Sequence, residues 1–202
     1  MNDLFEEPDG ATPLDPDDRA GLRRTDIALR AELNEAEAEN ILAAQMWAVG
    51  ARRSLAGWLT QPRMRELHRR MFGEVWSWAG TLRLREASIG IDPHRITTEL
   101  ENLLLDVKAQ TADRQSLAWP ADEVAVRFHH RLVSIHPFPN GNGRHARLAA
   151  DIVVRSLGQP RFTWGHAGYL TDASDARARY LAGLRLAYRD WEYGALLQFA
   201  RS

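Results

Sequence analysis

Apolar residues recur at helical intervals along most of this chain, and their spacing predicts a mainly α-helical protein. Leu29, Leu33, Ala36 and Ile41 lie near that spacing, while Glu dominates the other positions through ELNEAEAEN; the pattern predicts a helix with one exposed, acidic face. The stretch ILAAQMWAVGARRSLAGWL is apolar but broken by Gly50 and Gly57, which predicts helical segments meeting at a bend. After Pro62, the residues Met64, Leu67, Met71 and Phe72 mark a helix that Gly73 is placed to stop. Ile96, Leu100, Leu103, Leu104 and Val107 mark another, and Val124, Phe128, Leu132 and Ile135 a third, both with an apolar stripe for one shared core. Leu148, Ile152 and Val153 continue the pattern up to Gly158 and Pro160; Ala176, Tyr180, Leu184 and Ala187, then Leu196, Leu197 and Phe199, complete a helical bundle. Only TLRLREASIGIDP departs from it. Its weak alternation, punctuated by Gly90 and Pro93, predicts a short β-hairpin or extended flap.

With 202 residues, one domain with short additions is the expectation. The opening MNDLFEEPDGATPLDPDD is acidic, rich in Pro and Gly and poor in branched apolar residues, so residues 1–22 are expected to form a mobile tail. Residues 23–59 then supply N-terminal helices, and residues 60–200 the main domain. A formal charge of −1 provides no global positive field, so direct binding of nucleic acid is not expected. The absence of cysteine excludes disulfides, thiolate metal sites and a Cys nucleophile, leaving His, carboxylates, Arg and backbone to carry any chemistry. No apolar run approaches the roughly 20 residues that span a bilayer, and the acidic amino terminus is unlike a signal peptide; a cytoplasmic protein without membrane contact is the expectation.

The segment IHPFPNGNGRHARL places a His, two glycines around an Asn, and two arginines between two helices. Gly141 and Gly143 permit backbone conformations closed to other residues and let main-chain N–H groups approach an anion. At a helix start those amides add to the positive end of the helix dipole, a phosphate cradle. Arg144 and Arg147, three apart, project from neighbouring positions on one face and are suited to clamp successive phosphates. His136 follows the apolar helix directly, and an imidazole of unperturbed pKa about 6.5 can accept a proton from a hydroxyl near neutral pH. Pro137 and Phe138 are expected to anchor the loop against the core. His129 and His130 lie near His136 in sequence, but adjacent residues point to different helix faces and no metal-binding spacing is present; both are taken as structural.

These residues resemble the Fic/Doc signature H-P-F-x-(D/E)-G-N-G-R-x-x-R, matched here at His136, Pro137, Phe138, Gly141, Asn142, Gly143, Arg144 and Arg147. MFGEVWSWAGTLR is similar to the family's approach to its β-hairpin flap, and residues 180–199 to its closing helices. With ELNEAEAENI, the chain more narrowly resembles the Fic-domain group called mobile mystery protein B, carried on mobile elements beside a helix-turn-helix partner protein. The resemblance implies the Fic-fold helical bundle, with a short β-hairpin flap. It also implies a transferase in which His136 deprotonates a target hydroxyl that attacks the α-phosphate of ATP. Nucleotide binding would fall to Phe138, Gly141, Asn142, Gly143, Arg144 and Arg147, and Ser88, Ile89, Gly90 and Ile91 of the flap would align a protein target as an added strand.

Two departures from the family pattern alter this expectation. Asn140 stands where the family has the acidic residue that holds Mg²⁺ or Mn²⁺; it offers a carbonyl oxygen without charge, so a weakly active or non-catalytic binding module, as half of a toxin–antitoxin-like pair, is an alternative, as is transfer of another phosphate-linked group. Glu39-Asn40 matches the end of the family's inhibitory (S/T)-x-x-x-E-(G/N) motif, but Glu35 occupies the Ser/Thr position. A carboxylate at Glu39 aimed at Arg147 would compete with phosphate for the guanidinium; the alternative is an ordinary solvated helix face.

Overall fold

The computed structural model describes residues 19–165 and 175–202. Most of the expected tail, residues 1–18, lies outside the described residues, but its end does not: Ser77 N–H donates to Gly21 O and Arg23 N–H to Val75 O, each at 2.8 Å, around an antiparallel bridge between Leu22 and Trp76. Helix α1, Arg30–Gly50, starts where the carboxylate of Glu32 accepts from the N–H groups of Ala28 and Leu29 at 2.9 and 3.0 Å, satisfying donors that a helix start leaves open. It runs unbroken to Gly50, and the bend expected in this region falls over residues 51–54. Ser54 then caps the short α2, Leu55–Trp58, through Gly57 N–H at 3.2 Å.

Helix α3, Gln61–Phe72, carries Pro in its first turn, where no N–H is needed, and ends at Gly73 as the spacing predicts. A 3₁₀ turn at Pro93–Arg95 leads into α4, Ile96–Gln110. Then come α5, Ala121–Ile135, α6, Asn142–Ser156, α7, Asp175–Asp190, and α8, Gly194–Arg201. Helices α5 and α6 pack along each other at the centre, α4 and α8 flank α5, and α1 lies along α3, which itself reaches α6. The apolar stripes read from the sequence, among them Leu100, Leu104, Phe128, Leu132 and Val153, meet in this core.

One expectation fails in detail. Residues 81–92 form no strand ladder, so the flap is an extended loop and not a β-hairpin. The reason is that its polar backbone is satisfied elsewhere: the buried guanidinium of Arg83 donates to the carbonyls of Arg85, at 2.8 Å, and Ile91, tying the two limbs together without cross-strand pairing.

Among the described residues the core also encloses five histidines, His68, His129, His130, His136 and His145. Burial disfavours their charged forms, pushing His129 down to about 3 and His130, His136 and His145 down to about 4, with His68 held well below the usual value. An unfolded chain takes up these protons near pH 6.5 and the folded one does not, so their contribution is complete above about pH 6.5 and is lost as pH falls toward 4. Asp151 runs the other way: burial raises it to about 6, so the folded state gains a proton there first and offsets one histidine. Each tenfold change in proton affinity is worth about 1.4 kcal/mol, so the net direction is a loss of stability as pH falls. The urea midpoint is therefore expected to drop steeply between pH 7 and pH 5. A midpoint that stays level over that range contradicts the protonation assignment.

Candidate active site

Between the end of α5 at Ile135 and the start of α6 at Asn142, the chain reverses through residues 136–141. Two left-handed residues make the reversal, His136 (φ 53°) and Gly141 (φ 76°). Glycine is required at the second, since a Cβ there would lie 2.6 Å from the ring of Phe72. His136 has no such dispensation and carries strain of about 1–2 kcal/mol. Its backbone is held on both sides, with N–H donating to Leu132 O at 3.2 Å and Arg83 Nε donating to His136 O at 2.7 Å.

The loop's interior is braced by Asn142, whose Oδ1 accepts from Phe138 N–H at 2.9 Å and whose Nδ2 donates to Phe138 O at 2.8 Å. Phe138 is fully buried, stacked on His68 with ring centroids 3.7 Å apart. Gly80 N–H donates to His68 Nδ1 at 3.0 Å, which leaves His68 Nε2–H to donate to Asn140 O at 3.0 Å. Phe138 thus cannot touch a nucleotide as its place in the binding set implied; it is an anchor, because the loop needs an apolar foot in the core. The side chain of Asn142 is likewise committed to the loop, leaving its backbone for any anion.

His136 is almost enclosed, at 7% exposure. Its Nδ1–H donates to Val133 O at 3.3 Å, which makes Nε2 the proton-accepting nitrogen. Burial, reinforced by the charge of Arg83, pushes its pKa down to about 4, so the ring is neutral near pH 7. Beyond it, the hydrogen bonding of α6 opens with His145 N–H donating to Gly141 O at 2.9 Å, so the amides before His145 stand at the positive end of the helix. Gly143 adopts ordinary helical geometry, contrary to expectation, and a Cβ there would make only ordinary contact with Tyr180 Oη at 3.7 Å and Arg147 Nη1 at 3.8 Å.

The two arginines are held differently. Arg144 Nη1 lies 2.6 Å from Glu37 Oε2, and Glu37 Oε1 accepts from Trp76 Nε1 at 2.7 Å. Arg147 lies over the ring of Tyr180, 5.3 Å from its centroid, and burial lowers its pKa. The Tyr180 hydroxyl is in turn 3.1 Å from His129 Nε2. Glu39 is exposed on the wall of the same cleft, and no ion pair joins it to Arg147 among the described residues. The rotation of α1 decides this: burial of Leu33, Ala36 and Ala44 turns Glu37 inward and leaves Glu35 and Glu39 on the outer side.

These groups open on one cleft of about 1950 Å³ bounded by α1, the flap residues Ser88, Ile89, Gly90 and Ile91, the start of α6, and α7. Arg83 joins flap to loop, since its own N–H also donates to Pro137 O at 2.9 Å. Glu37, Arg83 and Tyr180 were not among the site residues expected from the sequence, Tyr180 being read only as part of an apolar stripe; a helical wheel of α1 would have found Glu37 beside the buried stripe, while nothing local marks Arg83. Asn140 Oδ1 accepts from Gly141 N–H at 2.5 Å and keeps a second lone pair, and no cluster of three or more His, Asp or Glu gathers among the described residues, so a divalent cation here would take most of its oxygens from phosphate and water.

Comparison with known proteins gives a consistent answer. Residues 58–154 match the Fic/DOC family. A protein adenylyltransferase, fic-1 of Caenorhabditis elegans, is 29% identical over 127 residues, 60% of this chain and 23% of that protein. A uridine 5′-monophosphate transferase of Xanthomonas campestris is 42% identical over 65 residues, 32% of this chain and 11% of that protein. The chain therefore spans less than a quarter of the length of these curated relatives. Among solved structures, the BepC protein of Bartonella tribocorum with bound AMPPNP superposes with a TM-score of 0.63 over 85% of each chain at 13% identity, a likeness of fold.

Removing the Arg83 side chain strands three carbonyls and releases the flap from His136. Arg83→Ala is expected to speed amide exchange over residues 85–91 by more than over α4; uniform exchange would contradict the tether. Gly141→Ala combines left-handed strain with overlap of Phe72 and should destabilise the fold by about 2–4 kcal/mol in urea unfolding. An unchanged midpoint would show that the loop tolerates a Cβ there.

Proposed function

Residues 58–154 being a Fic/DOC family domain, we propose that this chain transfers AMP from ATP to a hydroxyl side chain of a target protein, with His136 as general base. The observation that supports it most is the placement of a neutral imidazole, an open helix start and two arginines on one cleft. The target oxygen forms a bond to the α-phosphorus, the bond from that phosphorus to the bridging oxygen breaks, and pyrophosphate leaves with the electron pair. The hydroxyl proton passes to His136 Nε2. Approach of the triphosphate's negative charge raises the basicity of His136 from its low resting value, toward the range in which a general base is effective.

The amides of Gly141, Asn142 and Gly143 receive phosphate oxygens at the helix start, and Arg144 and Arg147 pair with the phosphates beyond. The flap residues Ser88 to Ile91 hold the target backbone. The restraint expected of Glu39 is better supported for Glu37, because its carboxylate already occupies Arg144 and must yield it before a phosphate can bind. The uridine monophosphate transferase among the relatives favours one second reading, transfer from another nucleotide donor through the same groups. Asn140 favours another, a module that binds nucleotide or a helix-turn-helix partner in a toxin–antitoxin-like pair without turnover.

Labelling with α-phosphate-labelled ATP or UTP, run in Mg²⁺ and Mn²⁺, separates these readings. ATP is expected to mark protein, and His136→Ala to abolish the mark, a loss of at least about 10²-fold. Glu37→Gln keeps an acceptor for Trp76 while removing the charge on Arg144, and should label more strongly than wild type; Glu39→Gly is the comparison that assigns the restraint. Labelling that survives His136→Ala removes the proposed base, and nucleotide binding without any transfer favours the binding module.

A further inference from the structure

The cleft is electrostatically lopsided in a way that nucleotide binding does not account for. Along α7, residues 177, 181, 184, 185, 188 and 189 fall on one helical face, and all line the cleft: Arg177, Leu181, Leu184, Arg185, Tyr188 and Arg189. The rotation is set by Tyr180, Gly183 and Ala187, which are buried; a Cβ on Gly183 would come within 3.2 Å of the Leu196 backbone in α8. On the facing wall, α1 presents Glu35 and Glu39. The chain as a whole carries a charge of −1, so this concentration of arginine is local.

Position along α7 separates two groups. Tyr180 marks the phosphate end, beside Arg147. Tyr188 marks the other end, its ring 6.4 Å from that of His130, which lies in the last turns of α5 bonded to Ser134. Arg185 and Arg189 follow Tyr180 by five and nine positions, which at about 1.5 Å per residue carries them about 7 and 14 Å along the helix from the phosphate end. Arg185 has no ion pair among the described residues. Arg189 makes a bidentate pair with the adjacent, exposed Asp190 at 2.7 and 2.9 Å, which an incoming carboxylate has to displace, and Arg131 lies 3.7 Å from Glu99. Tyr188, 73% exposed, offers a flat apolar surface on the same helical face as the two arginines.

We propose that the outer half of α7, Arg185 and Arg189 flanking Tyr188, docks an acidic segment of the target protein next to the hydroxyl to be modified. The inference rests on the transferase reading above and names the substrate class of that same site. Glu35 and Glu39 repel acidic residues from the opposite wall, so the segment lies with its carboxylates on α7, and the charge asymmetry fixes its orientation. A nucleic acid strand fits less well, because its evenly charged backbone would meet those glutamates and the chain supplies no broad positive field.

The test is fluorescence anisotropy on the full chain without nucleotide, using labelled peptides in which one Tyr is flanked by Glu runs or by Lys runs, with a single-stranded oligonucleotide as competitor. The Glu-flanked peptide is expected to bind, more weakly as salt rises. Arg185→Gln/Arg189→Gln should weaken it by roughly tenfold with no change in thermal midpoint, and Arg185→Glu/Arg189→Glu should shift preference to the Lys-flanked peptide. Equal binding of both peptides, an unaffected double variant, or a stronger oligonucleotide would overturn the proposal. Binding that follows this pattern without any transfer supports the docking surface and counts against the transferase; transfer to Lys-flanked Tyr as efficient as to Glu-flanked Tyr does the reverse.

Discussion

The chain must turn from α5 into α6 within residues 136–141, and both ends of that turn are left-handed. This constraint places an imidazole at the end of one helix and a row of amides at the start of the next, facing one cleft. It holds only because the loop has an interior of its own. The Asn142 carboxamide closes it on Phe138, Phe138 stacks on His68, and His68 links the Asn140 and Gly80 backbones. The strain at His136 persists because these contacts over-determine its position.

Charge is arranged around that loop with the same economy. The histidines packed beside it are held neutral by burial, while Arg83, Arg144 and Arg147 each meet a different kind of partner: backbone carbonyls, a carboxylate, and a tyrosine ring. Only the first is a completed structural role. An arginine that binds carbonyls fixes geometry, whereas one that lies against a carboxylate or over a ring keeps its affinity for anions and can exchange its partner for a phosphate. The site thus combines one arginine tied to backbone with two whose partners are a carboxylate and a ring.

The cleft extends well beyond what a nucleotide needs, and its walls differ in sign. Helix α1 contributes glutamates and α7 arginines, each because a buried stripe fixes the rotation of its helix. The same packing that builds the core therefore sets the polarity of the surface offered to a second molecule. The flap, which lacks a ladder, lines the same cleft as Tyr188 and Arg189 of α7.

Periodicity alone determined the helices and their main boundaries, because an apolar stripe has to be buried whatever the details of packing, and Gly50, Gly73 and Gly158 can be read as stops from local chemistry. The place of the loop between two helices was legible as well, because Gly141 and the helix-ending run up to Ile135 mark it in local chemistry. Tertiary structure decided which groups meet. Glu37 and not Glu39 reaches the loop, across 107 positions of sequence, because the packing of α1 on α3 chose its rotation. Arg83 replaces a hairpin's cross-strand bonds with side-chain bonds, and Phe138 and the Asn142 side chain serve the core instead of the ligand. Spacing specifies which face of a helix a residue occupies; what lies opposite that face depends on contacts between distant segments, and those exist only once the bundle has assembled.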